Sequence, residues 1–300
     1  MNTFNTIGLI ARHQPAKASS VTSAIIRQMN LLCDSLTGLG KSVILDQQTA
    51  DHINSNTFAS QTLSDLAQQT DLGIVLGGDG RLLEAAPFFA HAETPLLGIN
   101  YGRLGFLADI SAEYLQPVLE VMHGRFIPEN RLLVEAKVER GNKVVATSVA
   151  LNDIVLYVTA SKMIEFELYI NDTFVYSQRS DGIVIATPTG STAYALSAGG
   201  PIMQPDLDTL VLVPNSAHTL ASRPIVVGAD SEIKIRVGSH PYPAVSCDGQ
   251  TKITTEQNDL ITINKYPHKL ALIHPVGYDF YRTCREKLGW GQKLGRVRDM

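Results

Sequence analysis

The chain has 300 residues, enough for one large or two medium domains with a substantial core. A composition of 44% hydrophobic and 18% charged residues is that of a soluble globular protein, and a net charge of −4 argues against a generally basic, nucleic-acid-binding surface. Cys33, Cys247 and Cys284 form no Cys-x-x-Cys pair, which argues against a disulfide framework or zinc site. With no signal-like N-terminus or membrane-length apolar run, the expectation is a cytoplasmic protein with neither nucleic acid nor membrane as partner.

The first portion alternates strand and helix signals. Residues 6–11 read as a strand, 17–36 as a helix with apolar residues at helical spacing, 42–45 as a strand and 60–69 as a short helix. A third strand at 72–76 runs into Gly77-Gly78-Asp79-Gly80. A helix is expected over 82–90, shortened or distorted by Pro87, and a strand over 95–99. The polar stretches 1–16, around the first strand, and 51–60 read as mobile. This order predicts a mostly parallel sheet with helices on its faces.

Near residue 125 the pattern turns to strands. They are expected at 132–140, 144–149, 154–158, 164–170, 174–177, 183–187, 209–213, 224–227, 232–237, 243–247, 260–264 and 269–273. Gly141-Asn142 and Asn171-Asp172 supply hairpin turns, and one helical interruption follows Pro188-Thr189-Gly190. The fold class is thus an α/β N-terminal domain with a β-rich, sandwich-like C-terminal domain. The expected boundaries are 1–125 and 126–275. A C-terminal helix at 278–288, within 276–300, returns to the first domain or to a partner.

Four stretches carry the chemistry. In Gly77-Gly78-Asp79-Gly80, glycines after a strand let N–H groups approach a phosphate, and Asp79 can accept a proton. The ordinary structural alternative is a turn with an N-capping aspartate, and the two stand about level. Residues 100–107, NYGRLGFL, would emerge on the same sheet edge, with Phe106 either stacking on a flat ring or plugging a core. Asn152-Asp153 can hold a ribose diol or simply form a β-turn. The stretch 177–194, SQRSDGIVIATPTGSTAY, carries more hydroxyls than a helix cap needs, which favours a polyol or phosphate ligand. Asp248-Gly249 reads as a hairpin turn, and His218 as structural.

In this order and spacing the stretches resemble the NAD kinase family through residues 72–289, most strongly at GGDG (77–80), GRLGFLADI (102–110), LNDIVL (151–156), MIEFELYI (163–170), 177–202 and HTLASRPIVV (218–227). The resemblance implies phosphoryl transfer from ATP, with Mg²⁺ or another divalent cation, to the 2′-hydroxyl of the adenosine ribose of NAD. It implies Asp79 as general base and Gly77, Gly78, Gly80 and Arg81 as the phosphate loop, Gly80 also lining the substrate pocket. Phe106 would lie by the adenine, Asn152 and Asp153 on a ribose, and Asp181 on the nicotinamide side. Arg179, Lys162 and Gln250 would be further contacts, and Thr192, Ala193, Tyr194 and Ser197 would line the dinucleotide site. No dedicated metal-ligand set is implied, and the family suggests a homodimer or homotetramer. Arg81 departs from the small polar residue usual after GGDG, and either favours phosphate or swings to solvent. Asn215-Ser216-Ala217 departs from the usual lead into His218. Two alternatives remain open: a non-catalytic NADP(H)-binding sensor, and a lipid or sugar kinase sharing the GGDG loop.

Overall fold

The computed structural model describes residues 4–11, 20–53, 57–102, 105–158, 163–216, 222–238 and 243–290. The chain divides into two compact units, Met1–Leu82 with Leu96–Pro128 and Leu272–Met300, and Leu83–Pro95 with Glu129–Ala271.

The first sheet draws on β1 (Thr6–Ala11), α1 (Ser20–Gly38), β2 (Ser42–Asp46), α2 (Gln47–Ile53), β3 (Ala59–Gln61), α3 (Leu63–Gln69), β4 (Leu72–Gly77), α4 (Asp79–His91), β5 (Leu96–Asn100), β6 (Ile110–Ser111), α5 (Gln116–Met122) and β7 (Phe126–Arg131). Its strand order is β3-β2-β1-β4-β5, with β6 on β5 and all these pairs parallel. β4 and β5 are buried at every position, as apolar runs covered on both faces must be. The stripe Ile25, Met29, Leu32 and Leu36 of α1 joins Leu9, Leu45, Ile74 and Ile99 in one core.

Two expectations are corrected here, while the strand expected over 6–11 is present as β1. The 51–60 stretch, read as mobile, holds the end of α2 and the start of β3. The α2 helix has no apolar period in its sequence, and tertiary bonds hold it. Thr49 Oγ1 accepts from Ala11 N at 2.8 Å and donates to Asp46 Oδ2 at 3.1 Å. The α4 helix starts at Asp79, not residue 82, and runs through Pro87 to His91. Its apolar face, Leu82, Ala85, Ala86, Phe89 and Ala90, is buried completely, which outweighs the single backbone bond that proline removes.

The second unit contains two antiparallel sheets built from β8 (Val134–Arg140), β9 (Lys143–Ala150), β10 (Asp153–Val158), β11 (Ile164–Ile170), β12 (Thr173–Ser180), β13 (Gly182–Ala186), β14 (Thr209–Asn215), β15 (Ile225–Gly228), β16 (Ile233–Val237), β17 (Pro243–Cys247), β18 (Thr251–Thr254) and β19 (Leu260–Lys265). Their orders are β15-β14-β13-β10-β17-β18 and β12-β11-β16-β19-β8-β9. Alternate residues such as Val134, Ile154, Phe166, Ile185, Ile235 and Ile261 form a shared core, as expected of a sandwich. Asn171 and Asp172 both take left-handed backbone (φ 50° and 61°), the conformation of a two-residue hairpin turn.

β20 (Leu270–Pro275) joins the first sheet in parallel beside β5, and β7 extends that sheet beyond it. The final helix, α7 (Phe280–Leu288), belongs to the first unit, capped by the Asp279 side chain and ended by Gly289 in left-handed geometry. Among the described residues no helix is long and apolar enough to cross a membrane.

Candidate functional site

In the first unit the register Gly77↔Asn100 puts the 77–80 loop and the 101–108 loop at the same edge of the parallel sheet. Asp79 is half-buried at the first residue of α4. Its carboxylate does not cap its own helix. Instead Oδ2 accepts from Phe106 N at 2.9 Å, and Oδ1 accepts from Leu107 N and Ala108 N at 3.2 Å each. A carboxylate offers about four lone-pair positions, so three amides leave one on Oδ2. Only glycine fits beside this arrangement. A Cβ on Gly105 would lie 2.0 Å from Asp79 Oδ1. Gly77 is buried in the strand end, Gly78 half-buried and Gly80 exposed.

Arg81 takes neither course expected of it. Its guanidinium is buried, 5% exposed, and Nη2 lies 2.6 Å from Asp46 Oδ2, itself 4% exposed. Asp46 also accepts from Thr49 N at 3.2 Å. The pair ties the first turn of α4 to the end of β2 and the start of α2, so Arg81 positions the glycine loop. We expect Arg81→Leu to destabilise the protein by about 3–5 kcal/mol, because Asp46 is left charged and buried. Urea unfolding checks this, and the double variant with Asp46→Asn, which removes the unpaired charge and keeps an acceptor for Thr49, should recover part of the loss.

Phe106 is half-buried, with Lys287 Nζ of α7 4.7 Å from its ring centroid, inside the range of a cation–π contact. Arg103 and Leu104 of the same loop lie outside the described residues.

In the second unit a cavity of about 470 Å³ is lined by Asn152, Asp153, Val155, Tyr157, Ala193, Tyr194, Ser246, Asp248 and Gly249. Four predicted residues, Asn152, Asp153, Ala193 and Tyr194, therefore meet. Asn152-Asp153 is no free-standing turn. The Asp248 carboxylate accepts from the backbone N–H groups of Leu151, Asn152 and Asp153 at 2.7, 2.7 and 3.0 Å. Asn152 Oδ1 is buried without a hydrogen-bond partner among the described residues, an unusual state for a buried polar atom. Asp248 and Tyr157 were missed as cavity residues. Asp-Gly signals a hairpin whatever its side chain does, and Tyr157 looks like any strand aromatic.

Burial, then the Asp248 charge, pushes the Asp153 carboxyl from 3.8 up to about 7. Burial also raises Asp248, to about 6, against the opposing pull of its three amide bonds. The folded state therefore binds more protons than the unfolded chain between those values. The stability that protonated Asp153 contributes is complete below about pH 4 and lost as pH rises through about 7. Asp153→Asn should remove that loss. Its gain over wild type should grow with pH and level off near pH 8 at about 2–4 kcal/mol, as read by thermal melts across pH.

The hydroxyl-rich segment is corrected in its logic. Its hydroxyls mostly bond backbone groups of the segment and of its neighbours. Thr187 Oγ1 donates to Leu151 O, Ser191 Oγ donates to Pro188 O and accepts from Met203 N, and Thr192 Oγ1 donates to Thr189 O. The expected helix is a 3-10 turn (Thr189–Thr192) followed by one turn, α6 (Tyr194–Ser197). Tyr194 OH accepts from Asn215 Nδ2 at 2.7 Å. Thr192 is half-buried, and Ser197, Asp181 and Gln250 are exposed; none of the four lines the cavity. Arg179 is exposed on β12 and pairs with Glu165 across to β11 at 3.2 Å. Lys162 and His218 lie outside the described residues.

The family profile described as ATP-NAD kinase N-terminal domain matches residues 7–126, and that of the ATP-NAD kinase C-terminal domain matches 151–275. The NAD kinase of Teredinibacter turnerae is 50% identical over 299 residues, covering 98% of this chain and all of that protein. The NAD kinase of Pseudomonas putida is 48% identical over 303 residues, covering both chains fully. The crystal structure of yeast NADH kinase complexed with NADH superposes with a TM-score of 0.86 at 25% identity, over 99% of this chain and 91% of that one. With both domain profiles in order and half its residues shared with a full-length relative, the chain belongs to the NAD kinase family.

Proposed function

We propose that the protein transfers the terminal phosphoryl group of ATP to the 2′-hydroxyl of the adenosine ribose of NAD, giving NADP. Asp79 carries this reading. It is a half-buried carboxylate at a parallel-sheet edge, oriented by three amides with one lone-pair position left, beside a glycine loop that lets phosphates approach. In phosphoryl transfer, alignment and charge neutralisation matter more than strong basicity. Asp79 orients the ribose hydroxyl and takes its proton late, while the Gly77-Gly78-Asp79-Gly80 loop, bare of bulky side chains, lets donor phosphates approach. The donor is the magnesium complex of ATP, the ion arriving as part of the substrate and neutralising phosphate charge.

Asn152 and Asp153 hold a ribose of the dinucleotide, Ala193 and Tyr194 pack against it, and Phe106 lies by the adenine. Asp181 serves the nicotinamide side, with Thr192, Ser197, Gln250, Lys162 and Arg179 as outer contacts. Arg81 acts through the loop it anchors. Functional domains of 1–125 with 276–300, and 126–275, together with a cytoplasmic homodimer or homotetramer, complete the reading; light scattering on the purified protein reads the oligomer. The test of function is incubation with NAD, ATP and Mg²⁺, coupling any NADP to an NADP-specific dehydrogenase. NADP formation supports the reading. Dinucleotide binding without NADP formation leaves a sensor, and transfer to a lipid or sugar alone leaves the other kinase class.

A further inference from the structure

We propose that Asp248 is a positioning residue for dinucleotide binding, its carboxylate pre-forming the 151–153 turn that presents Asn152 and Asp153 to the ligand. This rests on reading the 470 Å³ cavity as the dinucleotide site. Three successive amides converge on the one carboxylate, the arrangement by which backbone nests bind anions, except that the anion here comes from the same chain. The tie is reciprocal, because Asp248 N donates to Asp153 O at 3.0 Å. The β17–β18 turn and the β9–β10 connection thereby hold each other.

A turn alone does not require this side chain. Asp248 and Gly249 have left-handed backbone (φ 53° and 68°), which asparagine adopts as readily as aspartate. Asparagine, however, has one acceptor oxygen, and its NH₂ would face an amide N–H. The turn's second support is independent, since Thr187 Oγ1 donates to Leu151 O and Thr187 N to Asn152 O. Asp248 thus removes the reorganisation that Asn152 and Asp153 would otherwise undergo on binding.

The experiment compares steady-state constants of wild type and Asp248→Asn with NAD, ATP and Mg²⁺, together with calorimetric NAD binding. The expected result is a rise in KM and Kd for NAD of roughly tenfold, because ordering the turn then falls on the binding step. KM for ATP and kcat should change less than about twofold. Should Asp248→Asn fail to fold, Thr187→Val loosens the same turn from its other side and must raise KM for NAD alone. A folded variant with lowered melting temperature and unchanged NAD constants overturns the proposal while the kinase reading stands. A wild type that makes no NADP overturns both.

Discussion

Asp79→Asn should lower kcat about 10²–10⁴-fold, the range for loss of a general base, a larger effect than the accompanying change in NAD affinity. The substitution keeps size and shape. It replaces a carboxylate that accepts three amides by a group with one acceptor oxygen, so some destabilisation of the 105–108 loop must accompany it. Each buried amide left unpaired costs about 1–3 kcal/mol. Chemistry and loop structure are separable by measurement. Calorimetric NAD binding and the melting temperature report the fold, and single-turnover rates report transfer. A variant that binds NAD normally and turns over within tenfold of wild type would rule out Asp79 as the base.

Gly190→Ala should have the second largest effect, and it acts on the other unit. A Cβ there would sit 2.1 Å from Asn152 O, 2.5 Å from its C and 2.8 Å from its Cα. All three atoms are backbone, so no side chain can swing aside. The hydrogen bond from Thr187 N to Asn152 O would open as that strand end moved. Overpacking of this kind costs about 1–3 kcal/mol, and with that strain felt in the Asn152–Asp153 turn NAD binding should weaken by roughly 10- to 100-fold. Isothermal titration with NAD gives the affinity, and KM for ATP should stay within about twofold of wild type. Unchanged NAD affinity in a folded variant would remove Asn152 and Asp153 from the dinucleotide site.

Much of the fold was legible because local chemistry and tertiary environment agree. β4 and the Leu96–Ile99 stretch of β5 are short, wholly apolar runs between turn signals, as strands covered on both faces read. The 164–170 strand alternates, and Asn171-Asp172 turns it back as left-handed backbone requires. The α2 helix was invisible for the opposite reason. Its QQTADHI has no apolar period, and its place is held by Thr49 and Asp46 reaching across the sheet edge.

The candidate site divides the same way. Asp79, Asn152 and Tyr194 are singled out in sequence by the ordered set of motifs shared with the NAD kinase family; taken alone, Asn152-Asp153 reads as well as a turn. What each charged group does was decided by partners far along the chain. Arg81 looked like a phosphate ligand until Asp46, 35 residues away, claimed it. Asp248 looked like a turn residue until it met the amides of residues 151–153, 95 to 97 positions away. The hydroxyls of Thr187, Ser191 and Thr192 looked surplus until carbonyl groups claimed them.

From sequence alone came the order of strands and helices, the parallel and antiparallel halves, the family and the chemically equipped loops, because periodicity and turn chemistry act over a few residues. Only the tertiary structure decided which carboxyls burial pushes upward, which cation is committed to a buried pair and which turn a distant carboxylate ties down. Desolvation and hydrogen-bond saturation depend on every neighbour brought close by folding.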